Sequence, residues 1–367
     1  MKHRLLSLFP PLAAGALFLA LLLDPTGAAE GVREGLNLAL GTAVPALFPF
    51  FLASSLLIST GGASFLGRFF AFPCRVLFGL PGNAAPAFLL GLTGGYPVGA
   101  RTVRELYDKK MLSKDEAGRA LACCNNTGPG FLVGLCGAAL LGSVQAGIFL
   151  YLVHAVSAVL TGFALSERKD VQAAKSPQAV EKKPFSVCFV DSVQGAGATS
   201  LKVTAFITAF SVLLRLLRSL GLIDRFAALL APLCPLLGLP GHGAQALVLG
   251  AFELTCGLSA LPQSEGRLLL PAMSVLTAFG GLSVWCQSAA VLAGSGLSAR
   301  PIVIGKCLHA LLAGALSTIA LHFAPRPLPV FTCGALTPAP CAMYGFVLLF
   351  GSFLLPFVSG NGRRHRI

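Results

Sequence analysis

The sequence predicts an all-α integral membrane protein of about eight transmembrane helices, with two re-entrant hairpins arranged as an inverted repeat. Three observations carry that expectation. Mean hydropathy is +0.80 and charged residues are only 11% of the chain, against roughly 25% in an ordinary soluble domain. Apolar runs long enough to cross a bilayer alternate with short basic connections. Finally, "LPGNAAPAFLLG" from Leu80 and "LPGHGAQALVLG" from Leu239 agree at seven of twelve positions; each lies on an apolar arm too short to span and each precedes a break.

Residues 1–34 read as an N-terminal transmembrane helix, Leu5 to Leu23, followed by an external loop. The basic start and the small residues before Glu30 also suit a signal peptide, but the apolar run is longer than a usual signal core, which favours an uncleaved helix. If Lys2 and Arg4 stay in the cytoplasm, Leu36 to Ser59 returns and leaves Arg68 and Arg75 inside. The arm Ala84 to Leu92 then enters "GLTGGYPVGA" and the stretch Arg101 to Arg119, which holds six basic residues. A full crossing would put those six outside, against the positive-inside bias, so the segment is expected to turn back. Ala120 to Gly142 goes out and Val144 to Leu165 returns, completing a first repeat over 35–165.

Residues 166–201, beginning "SERKDVQAAKSPQAVEKK", read as a polar cytoplasmic linker. A second repeat over 202–323 follows: Thr204 to Leu220 outward, a short arm at Ala244 to Phe252, Leu268 to Leu292 returning to Arg300 and Lys306, and Ile302 to Phe323 outward. Residues 324–367 supply an external loop, a last transmembrane helix at Met343 to Val358 and the basic cytoplasmic tail "GRRHRI". Both termini are thus expected in the cytoplasm of a multi-pass protein of the cell membrane. Arg215 and Arg218, near the outer end of their helix, fit this path only by snorkelling or by facing a cavity. "GPGFLVGLCGAALLGS" from Gly128 also resembles "GGLSVWCQSAAVLAGS" from Gly280, in the same order as the first match, and the path enters the two hairpins from opposite sides.

The net charge of +13 sits in the connections between apolar runs, which makes it a topology signal and not a nucleic-acid surface. The eleven cysteines form no CxxC or His-spaced set, so no metal site and no cofactor is expected. Cys333 and Cys341 share one polar connection, and whether they pair is left open. No GxxxxGK[ST], GxSxG or HExxH occurs, and no nucleophile and base pair is evident, so the chain is not expected to be an enzyme.

The candidate site lies at the breaks. Thr93, Gly94, Gly95, Tyr96 and Pro97 interrupt helical bonding at membrane depth, where freed backbone groups are tolerated only against protein or a polar cavity. In the second unit "GAFELTCG" puts Glu253 at the matching turn. A charge at the bilayer centre costs at least about 2.5 to 3.5 kcal/mol, which leaves proton coupling, cation binding, a hydrogen bond to a solute, or a structural acid near the outer surface as its roles. Asn125, Asn126 and Thr127, with Gly128 and Pro129, interrupt another apolar run. Gly280 and Gly281 open its counterpart, which supplies Ser283, Trp285 and Gln287. These residues suit a polar site for a small solute, or hydrogen bonds between neighbouring helices. His154 reads as a packed histidine, and His242 beside a hairpin carries little information.

"GLTGGYPVGARTVRELYDKKMLSKDEAGRALACCNNTGPGFLVG", with "HAVSAVLTGF" after it, closely resembles the YlbJ sporulation integral membrane proteins of endospore-forming bacteria, whose members carry nucleoside-recognition, or Gate, domains. The hairpin and broken-helix order is similar to that of concentrative nucleoside transporters, where a Gly-x-Thr-Glu turn contacts the nucleoside. Gly91 and Thr93 match part of that turn in the first unit, and Gly250 and Glu253 part of it in the second. The resemblance implies a role in making a heat-resistant spore, in a forespore or mother-cell membrane; the expected partners are the bilayer and, from the polar residues at the breaks, a small polar solute. A homo-oligomer or other sporulation membrane proteins remain open as further partners. Two functions are consistent with it: a transporter-like protein moving that solute, or a non-transporting scaffold for the spore envelope acting through the loops at Arg101–Arg119 and Ser166–Lys183.

Overall fold

The computed structural model describes residues 2–60, 62–167, 183–237, 239, 243–261 and 269–323; the last transmembrane segment, Cys333, Cys341 and His242 lie outside them. The described residues are helical throughout, with no strand among them. Among the described residues five helices are long and apolar enough to cross a membrane, at Pro25–Ala53, Val144–Ala164, Phe185–Ser219, Leu269–Leu292 and Arg300–Phe323; a sixth candidate is bent by 110° between Phe69–Phe78 and Gly82–Gly94.

Helix α1 (Lys2–Leu23) leads into α2 (Pro25–Leu38) with no loop between. Here the structure corrects the external loop expected up to residue 34. Asp24 accepts from the Gly27 backbone N–H at 2.8 Å and Pro25 occupies the first helical position, the residue pair that starts helices. One π turn, Ala39–Ala43, joins α2 to α3 (Val44–Ser59).

The first unit continues with α4 (Gly62–Phe78), a hairpin of α5 (Ala85–Gly94) and α6 (Val98–Asp108), a broken helix made of α7 (Lys114–Cys124) and the π-wound segment Gly130–Leu140, and the span α8 (Val144–Ala164). A capping box starts α7: Ser113 Oγ accepts from the Glu116 N–H while Glu116 Oε2 accepts from the Ser113 N–H at 2.7 Å, which satisfies two of the orphan donors of the first turn.

The second unit repeats that order with α9 (Phe185–Ser219), α10 (Leu222–Leu230), a hairpin of α11 (Gly243–Phe252) and α12 (Leu254–Ser259), a broken helix of α13 (Leu269–Phe279) and α14 (Gly281–Leu292), and the span α15 (Arg300–Phe323). Packing repeats as well, since α15 lies against α7 of the first unit and α8 against α13 of the second. Each span thus braces the other unit's broken helix.

Helix α9 corrects a second expectation. It begins at Phe185, inside the stretch 166–201 read as a linker. Cys188, Ser192, Ala196, Ser200 and Thr204 recur every four residues and are all buried, forming the small-residue stripe that lets membrane helices approach closely. Ser192 Oγ lies 3.2 Å from Ser59 Oγ. A stripe of hydroxyls and small residues is polar by composition and helical by periodicity, and the composition misleads.

The same close approach explains α2 and α9, where Gly31 and Gly35 lie against the backbone at Val212 and Thr208. At that end Arg215 pairs with Glu30 and Glu34 of α2 and lines a surface cleft with Arg218, which accounts for two arginines near a helix end.

Candidate functional site

The two hairpin turns and the two helix breaks meet at one place. The first hairpin ends at Gly95, whose φ of +72° lies in the region glycine adopts without steric cost. Gly95 lies backbone to backbone with Gly128 in the break between α7 and the π-wound segment. In the second unit, Gly281 lies against the Gly250 carbonyl and the Leu254 N–H of the second hairpin. The first tip also reaches across: the Tyr96 hydroxyl stands beside Gly280, where a side chain would meet it at 3.0 Å.

Close packing holds the first hairpin there. Gly91 on α5 and Gly99 on α6 both abut the Cys124 carbonyl at the end of α7, leaving no room for a Cβ. Helix α6 is tied to the other unit by Arg104, whose Nη1 donates to the carbonyls of Val291 at 2.6 Å and Ala293 at 3.0 Å.

Between these elements lies a partly enclosed cavity of about 60 Å³. Five of the eight expected solute-binding residues line it: Thr93, Tyr96, Thr127, Glu253 and Gln287. So do the expected breaks Gly94, Gly95 and Gly128. Sequence reasoning missed its apolar wall, Leu47, Phe50, Phe51 and Phe131, together with Thr255.

Glu253 is 4% exposed and caps α12. Its Oε2 accepts from the Cys256 backbone N–H at 2.7 Å and its Oε1 from Ser283 Oγ at 3.4 Å. Ser283 is therefore a support behind the acid, not a cavity wall. The Thr255 N–H and the Cys256 thiol also donate to this carboxylate, so the acid is held from several sides while it lines the cavity.

Asn125 and Asn126 point away from the cavity. Asn125 Nδ2 donates to Ser288 Oγ at 2.7 Å, tying the first break to α14. Asn126 Nδ2 donates to the Cys123 carbonyl at 2.7 Å, and its Oδ1 accepts from Lys306 Nζ at 3.3 Å. The structure thus realises, for these two, the alternative of hydrogen bonds between helices. Thr127 does both: it lines the cavity, its Oγ1 donates to the Thr277 carbonyl at 2.8 Å, and its N–H donates to His154 Nε2 at 3.0 Å.

Lys306 differs most from expectation. Read from the sequence as a cytoplasmic charge, it sits inside α15 with no exposed surface. Its Nζ lies 3.0 Å from His309 Nδ1 and 5.3 Å from the centre of the Tyr96 ring. The sequence signal was the i, i+3 spacing of Lys306 and His309 within an apolar helix. Among the described residues no group of three or more His, Cys, Asp and Glu side chains is placed to hold a metal ion.

The family described as Gate, nucleoside recognition, matches the chain twice, at residues 40–166 and 200–326. The chain belongs to the Gate family. It is similar to the sporulation integral membrane protein YlbJ of Bacillus subtilis (strain 168), with 27% identity over 311 residues, 79% of this chain and 76% of that protein. Among solved structures it resembles variants of CNTnw, a concentrative nucleoside transporter. One, in an outward-facing state, gives a TM-score of 0.52 at 14% identity over 88% of this chain and 86% of that one. Another, in an intermediate state, gives 0.51 at the same identity and coverage. At that identity the likeness establishes the fold: two Gate units with paired hairpins and broken helices, as the sequence led one to expect.

Proposed function

We propose that this Gate protein is a multi-pass membrane protein of spore formation that moves a small polar solute, nucleoside-like or other, across a forespore or mother-cell membrane. The observation that carries the reading is the cavity where both hairpin turns and both helix breaks converge, with Glu253 as its one acid among the lining residues. In such folds a site between discontinuous helices is where alternating access acts. The sporulation role follows the similarity to YlbJ, and the transport role follows the fold.

The cavity as it stands is too small for a solute. About 60 Å³ open to water centres takes only a few waters at about 10 to 15 Å³ each, so a solute enters when a hairpin moves. The second hairpin is the better candidate, because α12 is a single short helix of six residues, whereas the first is tied down through Arg104 and Gly99.

The test compares spores from strains with and without the gene for heat resistance and for small-molecule content. Transport predicts a specific solute missing or accumulated, and the same change with Glu253→Gln at unaltered protein abundance. Lost resistance with an unchanged solute profile would replace transport by the scaffold reading, in which altering 101–119 is damaging and Glu253→Gln is tolerated.

A further inference from the structure

Behind the cavity, on the side of α15 and α8, lies a second polar cluster that the solute site does not use. Lys306 has no exposed surface, and His309 and His154 are each 1% exposed. An ionised ammonium so far from water is tolerated only when it is paired or well hydrogen-bonded, and no carboxylate forms an ion pair with it among the described residues. Its surroundings are neutral: His309 Nδ1 at 3.0 Å, Asn126 Oδ1 at 3.3 Å and the face of Tyr96 at 5.3 Å.

The protons can be placed from the partners. His309 Nε2 lies 3.0 Å from the His154 backbone carbonyl, which only accepts, so Nε2 carries hydrogen and a neutral Nδ1 offers its lone pair to Lys306. His154 Nε2 accepts from the Thr127 N–H, so that ring carries its hydrogen on Nδ1, which has no partner. Neighbouring titratable groups are few. Helix α7 brings Cys123 and Cys124, with Lys114, Asp115, Glu116 and Arg119 toward its other end; α8 brings His154 and Tyr151; the first hairpin brings Tyr96; α13 brings none.

We propose that Lys306, with His309 and His154, is a proton-binding site whose occupancy is coupled to the cavity through Tyr96 and Thr127. Both coupling residues have two faces. Tyr96 lines the cavity and its ring lies under the Lys306 ammonium; Thr127 lines the cavity and holds His154 through its backbone. When the site is occupied, Lys306 is an ammonium donating to His309 Nδ1 and Asn126 Oδ1. When it is vacant, one N–H bond has broken, the proton has passed to water and the amine keeps the electron pair. With no counter-ion among the described residues, the balance between the two states is set by groups on the hairpin tip and the helix break, so displacing either changes the site's proton affinity. The coupling to a solute rests on the transport reading; the proton site does not.

The single tryptophan of the chain, Trp285, reports on this region. Its Nε1 donates to the Phe279 carbonyl at the second break, and Ser288 on the next turn holds Asn125. With the full chain purified in detergent and no solute added, Trp285 emission is expected to titrate as a one-proton step between about pH 6 and 10.5, the span from ordinary His to ordinary Lys ionisation. The step is lost in Lys306→Met and in Lys306→Arg, which cannot release its proton in this range, and its midpoint moves in Tyr96→Leu and His309→Gln. No step in the wild-type protein, or an unchanged step in the Lys306 variants, overturns the proposal. Should the Lys306 variants fail to fold, Tyr96→Leu and His309→Gln decide: an unmoved midpoint in both overturns it. Since no solute is present, these outcomes are independent of whether the cavity transports.

Discussion

The two hairpins occupy equivalent places in the two Gate units and are built with opposite chemistry. The first turn is uncharged, closed by Gly95 and Tyr96, and Lys306 of α15 lies over its Tyr96 ring. The second carries its own acid, Glu253, held by the cap of α12. The breaks differ in the same way. Four non-helical residues, Asn125 to Gly128, open the first, and side chains lock it to α8, α14 and α15. A single glycine, Gly280 with φ of +83°, opens the second. A repeated backbone geometry therefore does not entail repeated chemistry: one half is pinned by hydrogen bonds, and the other presents a carboxylate on a short arm.

The sharpest way to break this contrast is to unpin the first hairpin. Gly99→Val places side-chain atoms where the Cys124 carbonyl lies, and overpacking at a close backbone approach costs about 1 to 3 kcal/mol or more. We expect loss of monodisperse protein in detergent. Asn126→Ala removes both the acceptor for Lys306 and the donor to the Cys123 carbonyl, and leaving buried groups unpaired costs about 1 to 3 kcal/mol; thermal unfolding in detergent should begin at clearly lower temperature.

At the second hairpin the effects on stability should be smaller and those on function larger. Glu253→Ala deletes an N-cap, a loss of about 0.5 to 2 kcal/mol, whereas Glu253→Gln keeps an acceptor for Cys256 and should unfold within a few degrees of wild type while failing to restore spore heat resistance. Smallest of all, Gln287→Ala touches the half-buried cavity wall and should change stability by no more than about 0.5 kcal/mol. If Gln287→Ala destabilises as much as Asn126→Ala, the division between a locked half and a working half is wrong.

Much of this arrangement was legible in the sequence because breaks leave local signatures. "TGGYP", "NNTGP" and "FGG" interrupt apolar runs with residues that cannot continue a helix, and the order of matching segments gave the repeat. The direction in which Asn125 and Asn126 point was not legible, since a carboxamide bonds a helix neighbour or a solute with the same atoms. Lys306 was misread for a physical reason: a cation six residues after Arg300 near a helix start looks like a cytoplasmic anchor, and only the approach of α7 and α8 shows that the helix end is covered. The aromatic wall of Phe50, Phe51 and Phe131 was hidden among equally apolar residues that face outward.

The pairing of α9 with α2 and α3 has a mechanical consequence. Ser59 meets Ser192 at one end and Glu30 meets Arg215 at the other, so the two segments run antiparallel along their whole length. Thirty-five residues in α9 make a rod of about 52 Å at about 1.5 Å per residue, while the hydrocarbon core is about 30 Å thick. A strut that long must lean or protrude. A change in the thickness of the surrounding hydrocarbon is then taken up by its lean or its protruding length.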